Sequence, residues 1–203
     1  GYGLTEASPV THVNPPNKKH RKIGSIGVTV PNTKAKIINP ETDREINTPG
    51  VPGELWVKGP SVMKGYWHNK KETDDTLKEG WLRTGDIASQ SPEGYFKILD
   101  RLKDMIIVSG FKVWPNEVEN ILLTHPSILE AAVIGQKTKL GTKLKAVIVQ
   151  KPNQKKLSLE EIRAFCKQEL AAYKVPKFVE YREELPRSSV GKLLRRELRS
   201  DAT

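Results

Sequence analysis

Three segments of the chain set reactive side chains beside glycines, which let a backbone come close to a ligand. The first is Gly1-Tyr2-Gly3-Leu4-Thr5-Glu6. Tyr2 offers a flat stacking face, and Thr5 with Glu6 offers the hard oxygens that a phosphate-bound Mg2+ prefers. A turn with a helix cap accounts for these six residues equally well. The second, Gly80-Trp81-Leu82-Arg83-Thr84-Gly85-Asp86, holds an aspartate behind a glycine turn. There a carboxylate can accept both hydrogen bonds of a vicinal diol such as that of a ribose, and an Asx turn is the plainer alternative. The third is Pro186-Arg187-Ser188-Ser189-Val190-Gly191-Lys192, a polar loop that ends in a lysine. Lysine after glycine has the look of a phosphate binder, but the spaced glycine of a P-loop is missing and that motif is rejected.

The elements that must carry these residues fall into two groups. Up to about residue 100, turn signals such as Asn14-Pro15-Pro16-Asn17, Pro49-Gly50 and Pro52-Gly53 separate short β-favouring runs at 34–38, 53–57 and 95–99. That pattern predicts a small barrel or sandwich. Beyond residue 104 a strand at 104–109, a turn at Gly110 and a hairpin partner at 111–114 lead into a helix that Pro115 opens and His125-Pro126 stops. Apolar runs at 128–134 and 144–149 predict strands of a mostly buried sheet. Ser158 and Glu161 form a capping-box pattern ahead of a helix whose apolar face includes Leu159, Ile162, Phe165, Cys166 and Leu170. Val179 and Tyr181 indicate a further strand, and residues 192–198 a short helix. The reading is an α+β chain, with a β-rich, barrel-like segment at 1–102 joined to a small α/β domain at 103–203. The junction, Asp100-Arg101-Leu102-Lys103-Asp104, is charged and contains no glycine or serine spacer.

Composition removes several classes. With 203 residues, 36% hydrophobic and 29% charged, the chain can bury real cores and is not a disordered one. No apolar run approaches the roughly 20 residues that span a bilayer, and no leader pattern opens the chain. Cys166 is its one cysteine, which excludes an internal disulfide and a thiolate zinc site and fits a reducing, cytoplasmic setting. The net charge of +10 is diffuse, at +4 for residues 1–103 and +6 for the remainder. Clusters such as Lys18-Lys19-His20-Arg21-Lys22 and Arg195-Arg196 lack the interleaved aromatics of a single-strand stacking surface, so nucleic acid is not the expected partner.

Taken in order, Tyr2 to Glu6, Gly53-Glu54-Leu55, Gly65-Tyr66-Trp67, Trp81 to Asp86, Asp100 to Asp104, Gly110 to Glu119 and Gly191-Lys192 resemble the carboxyl-terminal motifs of the adenylate-forming enzymes. The resemblance covers essentially the whole chain. Val108-Ser109-Gly110-Phe111, Trp114 to Glu117 and Tyr173-Lys174-Val175-Pro176-Lys177 are most similar to bacterial long-chain fatty acid CoA ligases. The resemblance implies activation of a fatty acid with Mg·ATP to acyl-AMP, followed by transfer to coenzyme A. It makes Lys192 the catalytic cation, which bridges carboxylate and α-phosphate. Tyr2 would stack on adenine beside Gly3, Thr5 would contact phosphate and Glu6 would hold Mg2+. Asp86 and Arg101 would grip the ribose, with Lys112 near the nucleotide phosphate. Lys103 would be the hinge of a rotating carboxyl-terminal domain, and Ser109, Gly110 and Phe111 would face coenzyme A.

The glycine- and serine-rich phosphate loop and the acyl tunnel of such enzymes have no counterpart in these residues. The expectation is therefore a carboxyl-terminal piece of a ligase that does not form acyl-AMP alone, with peripheral contact at a membrane's inner face as a further expectation. Another acyl- or aryl-CoA ligase or adenylation enzyme is the alternative, and a basic noncatalytic module that binds polyanions is the alternative from a different class.

Overall fold

The computed structural model describes residues 1–200, which form two compact units, one of residues 1–103 and one that begins at Asp104. In the first, strands β1 (Tyr2–Gly3), β2 (Val10–Val13) and β3 (Val28–Thr29) make an antiparallel sheet. A second sheet contains β4 (Lys34–Ile38), β5 (Gly53–Lys58), β6 (Leu77–Lys78), β7 (Trp81–Gln90) and β8 (Phe96–Arg101). Its order is β4-β5-β7-β6, with β8 also paired to β7. Helix α1 (Lys70–Thr76) precedes β6, and the Asn69 side chain caps it by accepting the Glu72 N–H. An antiparallel bridge between Gly27 and Phe96 links the two sheets, and the described strands do not close into a barrel. Leu55, Val57, Leu82, Ala88 and Phe96 supply the core between them.

The aspartate read as lying behind a glycine turn is a correction to the sequence reading: residues 81–86 lie within β7, and the tight turn, Glu79-Gly80, comes before the strand. Glu54 pairs with Ile87 and Trp56 with Arg83, so Thr84, Gly85 and Asp86 stand opposite Leu55 alone. The surplus is a bulge, and Gly85 occupies φ +69 within it. A bulge of this kind re-aims side chains along a strand that is otherwise fixed by its ladder.

The second unit opens on the hairpin β9 (Ile106–Val108) and β10 (Phe111–Val113), followed by α2 (Pro115–Leu123). Strands β11 (Ile128–Thr138) and β12 (Gly141–Gln150) form a long antiparallel hairpin, and β13 (Phe178–Arg182) joins β12 in parallel. Helix α3 (Leu159–Cys166) carries the expected capping box: the Ser158 hydroxyl accepts the Glu161 N–H and the Glu161 carboxylate accepts the Ser158 N–H. The chain ends its described course in α4 (Arg195–Ser200).

Strand alternation sorts the three-stranded sheet into two cores. Ala131, Val133, Leu144, Ala146 and Ile148 pack with α2, α3 and the β9–β10 hairpin, while Ala132, Ile134, Val147 and Val149 pack with Leu185 and Leu198. Burial on both faces is why these strands read as unbroken apolar runs. Cys166 is fully buried in the first of these cores, and burial pushes its thiol up to about 11, so it is a packing residue.

Candidate active site

The first segment is shaped by close approach of its own chain. The Leu4 N–H donates to the Pro9 carbonyl at 2.8 Å, and a Cβ on Gly3 would lie 1.9 Å from that oxygen, so only glycine fits. This places Tyr2 on β1 opposite His12 and leads into a 3-10 turn, Thr5–Ala7, that leaves Thr5 exposed and Ala7 buried.

The structure brings Tyr2, Asp86 and Arg101 together. Register sets Asp86 opposite Arg101 across β7 and β8, and the Arg101 Nε–H donates to Asp86 Oδ1 at 3.0 Å. The Tyr2 hydroxyl donates to the other oxygen, Oδ2, at 2.6 Å. The Asp86 side chain is only 10% exposed, whereas that of Arg101 is 55% exposed, so the aspartate is the fixed member and the guanidinium its solvent-facing partner. Burial, and then the Asp86 charge, drive the Tyr2 phenol far above its usual range, so it remains a donor at any working pH.

Glu54 supports this cluster, a role the sequence reading did not assign. It is buried, accepts the Gly85 N–H on Oε1 at 3.2 Å and the Trp56 indole N–H on Oε2 at 2.8 Å, and pairs with Arg83 at 3.3 Å. Thr84 donates its hydroxyl to the Leu55 carbonyl at 2.7 Å and accepts the Asp86 N–H at 3.1 Å. The bulge is thus held from both strands. The sequence signal for Glu54 was an acidic residue inside an otherwise apolar strand, which must find partners to be buried.

Beside the cluster lies a cleft of about 680 Å³ whose wall includes Leu4, Glu6, Tyr66, Thr84, Gly85, Arg101 and Lys103. Glu6 accepts the Tyr66 hydroxyl on Oε1 at 2.9 Å, and burial together with the Glu6 contact raises the Tyr66 phenol above its usual value. Tyr2 and Asp86 stand behind this wall, reaching it through Arg101. Among the described residues no group of three or more His, Cys, Asp or Glu side chains forms a metal cage. Glu6 with one partnered oxygen fits the other mode, in which Mg2+ is held by one or two carboxylates and by the phosphates of its nucleotide.

The remaining site residues lie in the second unit. Ser109 and Gly110 form the two-residue turn of the β9–β10 hairpin, at φ +52 and +85. A Cβ on Gly110 would meet nothing within 4 Å, so within this unit backbone conformation, not crowding, selects glycine there. Phe111 stacks on Tyr173 with ring centroids 4.5 Å apart and rings inclined by 18°. Lys174, next to Tyr173, is pinned to Glu117 of α2 through both carboxylate oxygens at 2.6 and 2.7 Å. Lys112 is exposed on the same hairpin.

Lys192 stands exposed at the end of a closed loop. Arg187 bridges to Leu193, the Ser188 N–H donates to the Lys192 carbonyl at 2.8 Å, and the Ser188 hydroxyl accepts the Lys192 N–H at 3.2 Å. The Arg187 guanidinium also donates to the Gly191 carbonyl at 2.9 Å and pairs with Glu130 of β11. Directly after the loop, Arg195 of α4 joins Glu119 at 2.6 Å and Asp104 at 3.7 Å, and Arg199 joins Asp104 at 3.1 Å. Sequence reading found Lys192 but not this anchoring, whose partners are distant in the chain. Asp104, read as part of a polar junction, is buried in this network, while Lys103 remains exposed.

The AMP-binding enzyme profile matches residues 1–67, and that of the AMP-binding enzyme C-terminal domain matches residues 117–192. The chain is 50% identical over 203 residues to a long-chain-fatty-acid–CoA ligase of Escherichia coli O6:H1, across 100% of its own length and 35% of the relative's. It spans about a third of the length of the curated relatives it matches. Among solved structures, ATP-bound MatB from Rhodopseudomonas palustris superposes with a TM-score of 0.92 at 33% identity, over 98% of this chain and 39% of that one. The AMP complex of O-succinylbenzoate coenzyme A synthetase from Bacillus subtilis gives 0.85 at 36% identity, over 97% and 40%. Two matching profiles in their expected order, likeness along the whole chain and a shared fold establish that the chain belongs to the AMP-binding, adenylate-forming enzyme family.

Proposed function

We propose that this chain is the carboxyl-terminal part of a long-chain fatty acid CoA ligase, which forms acyl-AMP from a fatty acid and ATP and then acyl-CoA. The observation that carries the nucleotide assignment is the Tyr2–Asp86–Arg101 cluster beside the cleft. Asp86 is fixed by Tyr2 and Arg101, and a carboxylate has acceptor capacity beyond those two bonds, so it can take the hydroxyls of a ribose without reorganising. Arg101, largely solvated, is free to turn its remaining donors toward the same sugar. Tyr2 presents its ring to adenine, Gly3 and Thr5 border the phosphates, Lys112 approaches them in the thioester-forming state, and Glu6 would hold Mg2+. That cation would spread the negative charge of the triphosphate.

Lys192 is the cation of the first half-reaction. Carboxylate attack on an α-phosphate brings two anions together, and a positioned ammonium offsets the charge that develops. Lys103, the last residue of the first unit, is the hinge. Ser109, Gly110 and Phe111, with Tyr173 stacked behind, form the surface along which coenzyme A enters. Support for the fatty acid comes from the Escherichia coli relative, and the likeness to an O-succinylbenzoate enzyme makes an aromatic acid the second reading. Both are tested by supplying the intact protein with ATP, CoA and a panel of long-chain, medium-chain and aromatic acids while AMP release is followed. Turnover confined to long-chain acids is the expected result; preference for an aromatic acid would replace it with the second reading.

A further inference from the structure

The basic run at residues 18–22 has no part in this chemistry. Lys18, Lys19, Arg21 and Lys22 place four permanent charges within five residues, and the next side chain, Ile23, is 98% exposed. The loop is nevertheless built, not loose. The Asn14 amide donates to the Lys22 and Ser25 carbonyls at 2.6 and 3.1 Å, and its oxygen accepts the Lys22 N–H at 3.1 Å. Asn17 accepts the Lys19 N–H on its side chain at 2.9 Å and the N–H groups of His20 and Arg21 on its carbonyl at 3.0 Å. The Tyr95 hydroxyl closes the loop on the His20 carbonyl at 2.6 Å.

Charges divide unequally over this frame. Lys22 pairs with Glu93 at 2.8 Å and lies over the Tyr95 ring, so it is spent locally. Arg21 donates to the Pro16 carbonyl and keeps its charge at the surface, and Lys18 and Lys19 have no ion-pair partner among the described residues. A rigid loop therefore presents three cations together with one wholly solvated isoleucine. Beside Ile23 and Gly24, a shallow groove of about 380 Å³ continues over Pro49, Pro92 and Tyr95.

We propose that the loop 17–24 docks the protein on an anionic bilayer surface, with Lys18, Lys19 and Arg21 at the headgroups and Ile23 inserted at the acyl boundary. Charge complementarity fixes the sign of the partner, and the isoleucine separates a bilayer from a nucleic acid: hydrocarbon rewards its burial and a phosphodiester backbone does not. Nucleic-acid surfaces of the unpaired kind add exposed aromatics for stacking, and the one aromatic here, Tyr95, is covered by Lys22. The inference is independent of the ligase reading, and its test requires no turnover.

The test is co-sedimentation of the intact protein with phosphatidylcholine vesicles, with or without phosphatidylglycerol, across a salt series. Binding is expected only with phosphatidylglycerol and should weaken as salt rises. Replacing Lys18 and Lys19 together by alanine should lower partitioning by about tenfold or more, since each basic residue near such a surface contributes a factor of about five. Ile23→Ser should lower it by about tenfold while leaving the salt dependence in place. All three side chains are exposed, so the variants should keep the parent's thermal midpoint. Binding unaffected by Ile23→Ser, equal binding to vesicles without phosphatidylglycerol, or tighter Ile23-independent binding to duplex DNA would each overturn the proposal.

Discussion

At the scale of single residues, Asp86 is the side chain on which the nucleotide reading depends most directly. Asp86→Asn keeps its volume and leaves an oxygen for the Tyr2 hydroxyl, but removes the charge that faces Arg101 and the proposed ribose. Because Arg101 is more than half exposed and can rehydrate, stability should change little. The KM for ATP should rise by about tenfold to a hundredfold, as follows from a hydrogen bond to a charged group of about 1.5–3 kcal/mol. An unchanged KM would remove Asp86 from the site. His12 makes a different prediction. It is fully buried between Tyr2 and Phe96, its Nε2 lacks a partner, and burial lowers it to about 4 from 6.5. The depressed value favours the neutral ring, so the associated stability is complete above pH 6.5 and is lost as pH falls toward 4. The first unit should be about 2 kcal/mol less stable at pH 5 than at pH 7, and His12→Phe should remove most of that difference. Tryptophan fluorescence during denaturation reports it, since Trp56, Trp67 and Trp81 all lie in this unit.

At the scale of elements, the bulge in β7 converts a plain sheet into a site. Gly85 has room for a Cβ, yet it holds φ +69, so Gly85→Ala should cost about 1–2 kcal/mol through backbone conformation alone. The same change should raise the KM for ATP, because the strand can relieve its strain only by moving Asp86. A lowered thermal midpoint with an unchanged KM would show that the bulge does not aim the carboxylate. Elements whose signal is local were legible in the chain. The α3 capping box, the Ser109-Gly110 hairpin and β4 need only neighbouring residues to specify them. The ten-residue β7 was not, because Gly85 carries a turn signal and the ladders that override it come from β5 and β8, some 30 and 15 positions away. The candidate site divided in the same way. Tyr2, Asp86, Arg101 and Lys192 stood in readable motifs, whereas the supports, Glu54 under the bulge and Arg187 under Lys192, are defined by pairing across the fold.

At the scale of the whole molecule, one lysine is asked to serve only one of two half-reactions. Lys192 would neutralise charge during adenylation, but an ammonium bridging the carboxylate and the α-phosphate would obstruct a thiol that approaches the acyl carbon of the adenylate. In the intact protein, Lys192→Ala should therefore reduce acyl-AMP formation by at least about a hundredfold, in keeping with the loss of one charge-stabilising group. It should leave thioester formation from supplied acyl-AMP close to the parent rate. Arg187→Ala, which frees the Gly191 carbonyl and releases Glu130, should give a weaker version of the same split, with Arg187→Lys recovering part of the loss. Each half-reaction can be read separately, the first as pyrophosphate exchange into ATP and the second as CoA-dependent consumption of synthetic acyl-AMP. Equal loss of both in Lys192→Ala would mean that the lysine holds the second unit together and is not the adenylation cation; its exposed position outside every buried cluster makes that outcome the less expected one.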